Sequence, residues 1–465
     1  MNFEQPEIIG RRHWLQNVGG GLGALAMGQM LAMGDDRLNP MADEQRHAGV
    51  HFPPRAKRVI HLFMNGGPFQ GDLFDPKPSL QKYAGQRPES ANLLTERPTG
   101  GLLPSPAKFR RCGESGLVMS DLLPHLSEHA DDLCVIRSMH ADNPNHGPAL
   151  LQMNNGTILP TRPSMGAWFL YGLGSENENL PGYLVLCPGR PVRFSILWNS
   201  AFLPSEYQGT YVNHSKIDPE LMLPNLKNNQ WNHGIQKQQL ELLKELNRDY
   251  EVRRNEHSIL RARLESMETA FRMQFEAKEA FDLSLETKAS VDAYGQGHFA
   301  NGCLLARRMV ERGVRFVQVY FGNGQPWDTH SNHDKAVPGL CQQMDQPIAA
   351  LLNDLKQRGL LEETLVIWGG EFGRTPTSEN GSGRDHNHHG FSMWMAGGGI
   401  RGGMSYGSTD DFGFKAVENK VHVHDLHATI LHLLGLDHRR LTFRHSGRDF
   451  RLTDVFGRVV HDIIA

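Results

Sequence analysis

LVIWGGEFGRTPTSENGSGRDHNHHG, residues 365–390, begins with four apolar residues that predict a buried β-strand and continues into a segment crowded with acids, arginines and histidines. Gly369 and Gly370 stop the apolar run, which predicts that a surface loop follows the strand. In open α/β sheets, ligands bind beyond the carboxyl ends of the strands. Because carboxylates and imidazoles are ligands for Zn, Mn or Fe, the segment predicts a metal site. A polar loop in a histidine-rich protein is the alternative interpretation.

Further apolar runs and helical patterns alternate along the chain. Strands are predicted at residues 57–63, 133–136, 314–321 and 391–396. Helices are predicted at residues 120–130, 298–312, 339–358 and 425–434, the third of them restarting near Pro347. This βαβ order predicts an α/β fold with a mostly parallel central sheet.

Residues 235–294 contain neither Gly nor Pro and repeat apolar side chains at helical spacing. A single helix of this length would span about 90 Å, so two antiparallel helices are expected. A partner-binding coiled coil is one interpretation. Because the apolar stripe is short, we favour a helical hairpin inserted into the domain and packed on it.

Arg11 and Arg12 precede an uncharged stretch, residues 18–33, that is rich in Gly, Ala, Leu and Met. This pattern is typical of a twin-arginine (Tat) signal peptide. We therefore assign residues 1–45 to the signal peptide and leader and residues 46–465 to the mature domain. The protein is expected in the periplasm or at the cell surface, with no stable membrane span after export.

The composition bears on which partners and metal sites the protein is expected to have. The formal charge of -3 gives no electrostatic reason to expect nucleic acid as a partner. The 24 histidines favour a metal enzyme, because neutral imidazole is a common metal ligand. The five cysteines form no CxxC pair, so a zinc ribbon is not supported. The sequence leaves the oligomeric state open.

Two other loops carry candidate site residues. Asp328, His330 and His333 follow the strand predicted at 314–321 and are spaced to share a cation. Asp142 and His146 follow the strand predicted at 133–136. Asp142 is a candidate nucleophile or metal-facing group, and His146 a candidate general acid or base, since an unperturbed pKa near 6.5 suits that role. A structural histidine in a polar loop is the alternative for His146.

Several motifs resemble a bacterial exported family called domain of unknown function 1501, which is grouped with the alkaline phosphatase and sulfatase superfamily. They are NGGPFQGDLFDPKP from Asn65, LLARRMVERGVRFVQVY from Leu304, WDTH from Trp327, GEFGRTP from Gly370 and HDLHATILHLLGLDH from His424. The resemblance implies an alkaline phosphatase-like three-layer sandwich with a metal site. It further implies hydrolysis of phosphate or sulfate esters, with a small-molecule or polysaccharide ester as substrate.

The chain also departs from that superfamily. Glu371 and Phe372 stand where its strand-end motif has Asp and His, and Asn65 replaces the usual first Asp ligand. Asp142 falls at or near the position of a Thr nucleophile, so the usual hydroxyl is missing. A nucleophile of an unusual type is therefore expected.

These arguments give a candidate site that binds two divalent cations, Zn, Mn or Ca, about 4 Å apart. The predicted metal ligands are Asp328, His330, His333, Glu371, Asp385, His386, His388 and His389. The predicted catalytic residues are His146, Asp142 and Arg374, with Arg374 and Arg384 as partners for an oxyanion. A catalytically inactive, exported metal- or anion-binding protein of the same fold is the alternative.

Overall fold

The structure, a computed structural model, describes residues 49–223, 230–254 and 258–465. The predicted signal peptide and leader, residues 1–45, lie outside the described residues. The described part of the chain contains no helix that is both long and apolar enough to cross a membrane.

The strands include every one predicted from the apolar runs. They are β1 (Arg58–Phe63), β2 (Phe109–Cys112), β3 (Leu117–Ser120), β4 (Leu133–His140), β5 (Tyr183–Cys187), β6 (Thr210–Asn213), β7 (Phe316–Tyr320), β8 (Thr364–Gly369), β9 (Gly373–Glu379), β10 (Gly383–Asn387), β11 (Phe391–Ala396), β12 (Met404–Tyr406), β13 (Ser408–Thr409), β14 (Ala416–Glu418), β15 (Val421–His422), β16 (Phe443–His445) and β17 (Arg448–Phe450).

In the described residues, nine strands form the central sheet, with the order β12-β4-β11-β8-β1-β7-β5-β6 and with β15 also paired to β4. β1 runs parallel to β7 and β8, and β5 runs parallel to β6 and β7. β11 is antiparallel to both β4 and β8. The predicted α/β fold with a mostly parallel sheet is therefore confirmed, and the carboxyl ends of β1, β4, β7 and β8 share one edge.

Helices cover both faces of the sheet. They are α1 (Pro78–Lys82), α2 (His146–Asn155), α3 (Met165–Leu173), α4 (Pro219–Met222), α5 (His233–Arg254), α6 (Ser258–Phe281), α7 (Lys288–Tyr294), α8 (His298–Glu311), α9 (His333–Gln357) and α10 (Val423–Leu433). α6 and α7 lie within the predicted helical insertion, residues 235–294, and α5 begins two residues before it.

Side chains of β1 alternate between two hydrophobic cores, as the pleat of a strand requires. Ile60 and Leu62 pack with α8 and α9 in one core. Val59 and Phe63 pack with α2, α3 and α10 in the other. A central sheet with helices on each face makes the three layers.

The segment that follows β8 differs from the predicted surface loop. β9 and β10 form an antiparallel hairpin in which Arg374 lies opposite His386 and Glu379 lies opposite Gly383. Almost all of its residues are buried. The charged side chains can be buried because each has partners within the protein, which sequence periodicity does not reveal.

Two helices also differ from their predictions. α9 runs without a break through Pro338 and Pro347, because its buried apolar face packs along the sheet and outweighs the hydrogen bonds that proline removes. The helix predicted at residues 120–130 is instead a 3-10 helix, Leu126–Asp132, that follows β3.

Candidate metal centre

Three imidazoles converge on one carboxylate oxygen at the carboxyl edge of the sheet. The Oδ1 atom of Asp328 lies 3.2 Å from Nε2 of His146, 2.9 Å from Nε2 of His330 and 3.2 Å from Nε2 of His386. One ligand atom from each of the four residues lies within 4.8 Å of the other three. We call these four residues the His–Asp cluster.

The fold brings the cluster together from three connections. His146 is the first residue of α2, which follows β4, Asp328 and His330 lie in the loop after β7, and His386 lies on β10 of the hairpin after β8. Two glycines permit the close approach of these loops to their neighbours. A Cβ on Gly66, after β1, would lie 2.5 Å from the backbone nitrogen of Asp328, and one on Gly383 would overlap the carbonyl of His330.

Each imidazole of the cluster contacts a glutamate through Nδ1, the ring nitrogen that faces away from Asp328. Nδ1 of His146 lies 2.7 Å from Oε1 of Glu371, which also accepts a hydrogen bond from the Gly66 backbone nitrogen. Nδ1 of His386 lies 2.6 Å from Oε2 of Glu96.

The third imidazole has the same arrangement, since Nδ1 of His330 contacts Oε2 of Glu379. Because an ionised carboxylate can only accept, each Nδ1–H donates a hydrogen bond to its glutamate. This tautomer leaves the Nε2 lone pairs directed at the centre, as in carboxylate–histidine–metal arrangements.

Electrostatics keep Asp328 ionised. Burial opposes its charge, but the hydrogen bonds that the imidazoles donate when their Nε2 atoms carry a proton, together with the positive charge of Arg374, outweigh it, so the pKa of Asp328 lies well below its ordinary value. The contact with Asp328 raises the pKa of His330. Burial lowers the pKa of His386, which favours an unprotonated ring at neutral pH.

Arg374 is fully buried beside the cluster. Its guanidinium lies 2.5 Å from Oδ1 of Asp328 and donates to the backbone carbonyls of Gly66 and Gly67. Arg384 is also fully buried and donates to the carbonyls of Thr375, Leu103 and Pro104. Both side chains therefore stabilise the loops around the cluster.

The donor set fits a transition metal. Nε2 of His330 and Nε2 of His386 lie 3.0 Å apart, and two facing ring nitrogens cannot both carry a proton. Among the described residues, no group hydrogen-bonds to the buried Nε2 of His146, although Asp328 lies near it. A cation between these atoms would satisfy the unpaired lone pairs. Three nitrogens and one oxygen suit Zn, Mn or Fe, whereas Ca prefers six to eight oxygen ligands.

A second group of possible ligands shares one residue with the cluster. It consists of His330, Glu379 and Asp385. Asp385 accepts a hydrogen bond of 2.6 Å from the Arg97 backbone nitrogen, and its buried Oδ1 has no hydrogen-bond partner among the described residues. His330 faces Asp328 with one nitrogen and Glu379 with the other, so the two groups lie on opposite sides of one ring.

The remaining predicted residues lie outside the cluster. His333 is buried between Oδ2 of Asp72, at 2.7 Å, and Oγ1 of Thr329, at 2.6 Å. His389 contacts the Leu94 carbonyl, and its ring lies 3.9 Å from that of His388.

Asp142 is also apart from the cluster. Its Oδ1 lies 3.1 Å from Nε2 of His422, and its other oxygen accepts from Gln152. The hydrogen bond from His422 lowers the pKa of Asp142 to about 2. Asn65, in the position of the usual first Asp ligand, donates to the carbonyls of Gly322 and Gly324 and so supports the loop that carries Asp328.

Sequence reasoning missed two of the three supporting glutamates. Glu379 stands in the stretch quoted first, and its place among the other acids and histidines of that stretch was the signal that could have identified it. Glu96 lies 290 positions from His386 in an irregular segment, and no local pattern marks it. His146 was predicted as an acid or base, but its geometry matches that of the other imidazoles.

Solved structures with distant similarity are sulfatases, phosphatases and related proteins. A sulfatase from Pseudoalteromonas sp. is 13% identical, with 93% of this chain and 72% of that chain covered and a TM-score of 0.33. The lipoteichoic acid synthase LtaP from Listeria monocytogenes is 8% identical, with 86% and 74% covered and a TM-score of 0.35. The alkaline phosphatase from the Antarctic bacterium TAB5 is 10% identical, with 82% and 99% covered and a TM-score of 0.30. They assign no role to any residue of this chain.

Sequence comparisons give the family. No curated protein matches the chain. A family model described as "Protein of unknown function (DUF1501)" matches residues 56–464, which is nearly all of the part that the structure describes. The motifs quoted above predicted this family, and the match confirms it. The chain belongs to the DUF1501 family.

Proposed function

We propose that the protein is a metal-dependent hydrolase of phosphate or sulfate esters and that the His–Asp cluster is its metal centre. The observation that carries the proposal is the convergence of three imidazole nitrogens on Asp328 Oδ1, each ring held by its own glutamate. A cluster that served only to stabilise the fold would have no need to direct several lone pairs at one point.

We propose that one ion is bound by His146, Asp328, His330 and His386. A second ion at Glu379 and Asp385 would need His330 to bind with both ring nitrogens, and so to lose both protons. The binding of two cations therefore stays a prediction, and the number of metal ions bound per chain is the measurement that tests it. Zn and Mn fit the nitrogen-rich donor set better than Ca.

A divalent cation bound here would lower the pKa of a water molecule and polarise an ester oxygen. The residues of the chain would orient the centre. Glu371, Glu379 and Glu96 hold the imidazole tautomers, and Arg374 keeps Asp328 ionised. Asp328 is the most exposed member, with 23% of its side chain accessible, so an ester would approach from its side.

The alternative is an exported metal- or anion-binding protein without turnover. Within the described residues, no Ser or Thr hydroxyl hydrogen-bonds to any member of the His–Asp cluster. A covalent route through a hydroxyl therefore has no support, and hydrolysis would have to use water.

Metal analysis combined with ester assays tests the proposal. The purified protein, reconstituted separately with Zn, Mn and Ca, would be assayed with an aryl phosphate and an aryl sulfate. We expect about one tightly bound ion per chain and hydrolysis of at least one ester. Asp328→Asn should abolish both. Bound metal without hydrolysis of either ester would favour the binding protein.

We also propose that the protein is exported by the Tat route to the periplasm or the cell surface, because Arg11 and Arg12 precede an uncharged stretch. Replacing both arginines by lysine should keep the protein in the cytoplasm. Cell fractionation of the two forms measures this, and equal export of both would contradict the proposal.

A further inference from the structure

We propose that Arg193 binds the oxyanion of the ester at the metal centre and thereby selects substrates that carry a phosphate or sulfate group. This inference rests on the proposed function and adds a substrate-binding residue to it. It depends on the placement of the Arg193 side chain, its backbone conformation and its lack of partners.

The Arg193 guanidinium packs directly on the residue that follows a member of the His–Asp cluster. A Cβ on Gly147 would lie 2.7 Å from Nε and 3.0 Å from Cζ of Arg193. Gly147 follows His146 in the first turn of α2. The missing side chain of Gly147 therefore provides the space in which the guanidinium lies against the first turn of α2, next to His146 in the chain.

The loop that carries Arg193 is joined to the loop that carries Asp328. The backbone nitrogen of Arg190 donates to Oδ1 of Asn323 at 2.8 Å, and Gly324 donates to the carbonyl of Arg190 at 3.2 Å. Pro191 and Gly324 form an isolated parallel bridge. Because β5 and β7 are adjacent and parallel, both loops lie at the same edge of the sheet.

The backbone at Arg193 adopts a left-handed conformation that residues other than Gly rarely adopt. Its φ is 68°, and that of Phe194 is 40°. Positive φ at two consecutive residues other than Gly is strained, and such strain persists where the surroundings impose it, often at functional sites. Here the strained pair directs Arg193 toward Gly147.

Arg193 is exposed and makes no hydrogen bond or ion pair with the residues that the structure describes. Three other arginines near the cluster have partners. Arg374 and Arg384 are buried against backbone carbonyls, and Arg97 pairs with Glu379 at 3.0 Å. A guanidinium that is held in place but unpaired can bind phosphate or sulfate through two parallel hydrogen bonds.

Phosphate binding and steady-state kinetics test the proposal with the full chain loaded with metal. Inorganic phosphate and sulfate would be titrated by calorimetry, and an aryl phosphate would provide KM and kcat. Arg193→Ala should weaken phosphate binding about 10-fold or more and raise KM, with unchanged metal content, because a charge-assisted hydrogen bond is lost. Arg193→Lys should recover part of the affinity.

Two further variants separate position from charge. Gly147→Ala keeps the charge but displaces the guanidinium, so it should also weaken phosphate binding. Arg190→Ala removes a nearby exposed arginine that lies over the Phe194 ring, and it should change the affinity less than about twofold.

The outcomes distinguish this inference from the proposed function. Equal phosphate and sulfate affinity in the wild type and in Arg193→Ala would overturn the inference, and so would a wild type that binds neither anion. Anion binding that depends on Arg193 in a protein that hydrolyses no ester would support the inference and overturn the hydrolase proposal.

Discussion

Two histidine-rich regions lie at the carboxyl edge of the sheet, and only one directs its nitrogens at a common point. In the His–Asp cluster, three Nε2 atoms face Asp328 and three glutamates hold the opposite nitrogens. We call the other region the second histidine region, which comprises His140, Asp142, His422, His424 and His427.

In the second histidine region, two of the imidazoles are bonded to backbone carbonyls. His424 lies 2.9 Å from the Gly156 carbonyl, and His427 lies 2.8 Å from the Met153 carbonyl. These bonds tie α10 to α2, and because each Nε2 donates to a carbonyl, it cannot bind an ion. Within the part of the chain that the structure describes, the Nδ1 atoms of these two rings belong to no group of candidate metal ligands. The comparison shows that the number of histidines is a poor guide to a metal site. What matters is which partner each ring nitrogen has.

Replacing one histidine by asparagine in each region should give the largest difference in metal content and ester turnover. His386→Asn should release the ion and abolish ester turnover, because it removes one of four converging ligands. His424→Asn should retain both, since its ring is bonded to a backbone carbonyl. Metal content by mass spectrometry and ester assays measure the contrast. Equal metal retention in the two variants would show that the His–Asp cluster does not bind the ion.

The supporting glutamates should have the next largest effect. Glu371→Gln and Glu379→Gln should each weaken metal affinity by about 10- to 100-fold, because an amide is a weaker acceptor for the Nδ1 proton. Competition with a chelator measures this. Glu363 pairs with Lys57 away from the site, so Glu363→Gln is the matched control. An unchanged affinity in both variants would contradict the role given to the glutamates.

Buried His427 should make stability depend on pH. Burial lowers its pKa to about 3, whereas the unfolded chain has the ordinary value near 6.5. As the pH falls below about 6.5, the unfolded chain takes up a proton that the folded chain does not. The free energy of unfolding should then fall by at most about 1.4 kcal/mol per pH unit from this residue.

Urea unfolding at pH 7 and pH 5 measures that dependence. His427→Asn should reduce the difference between the two pH values, although it also lowers stability at pH 7 by removing the bond to Met153. The same change at the exposed His298 should leave the difference as it is in the wild type. If His427→Asn had the wild-type pH dependence, His427 would not be the group responsible.

Asp142 should have the smallest effect. Its side chain is 59% exposed and pairs with His422, and exposed ion pairs contribute about 0–1 kcal/mol. Asp142→Asn should keep its metal and its turnover and should unfold at nearly the same urea concentration. Loss of turnover with metal retained would instead make Asp142 catalytic, as its position after β4 first suggested.

Much of the fold follows from patterns within short segments. The apolar runs at β1, β7 and β8 are bounded by glycines, and their alternation with helices predicts parallel strands with a site at the carboxyl edge. The same reasoning places Asp328 and His330 after one strand and His386 after another. These predictions succeed because burial and turn formation depend on neighbouring residues.

The sequence by itself determined the family, the order of the strands along the chain and the supply of ligands at the strand ends. Only the tertiary structure decided which ligands meet, since the β9–β10 hairpin, the loop after β7 and the start of α2 must pack together to form the cluster. It also brought in Glu96 and left His388, His389 and Asp142 outside. A metal site depends on where lone pairs point, and that direction is set by contacts between residues that are distant in the chain.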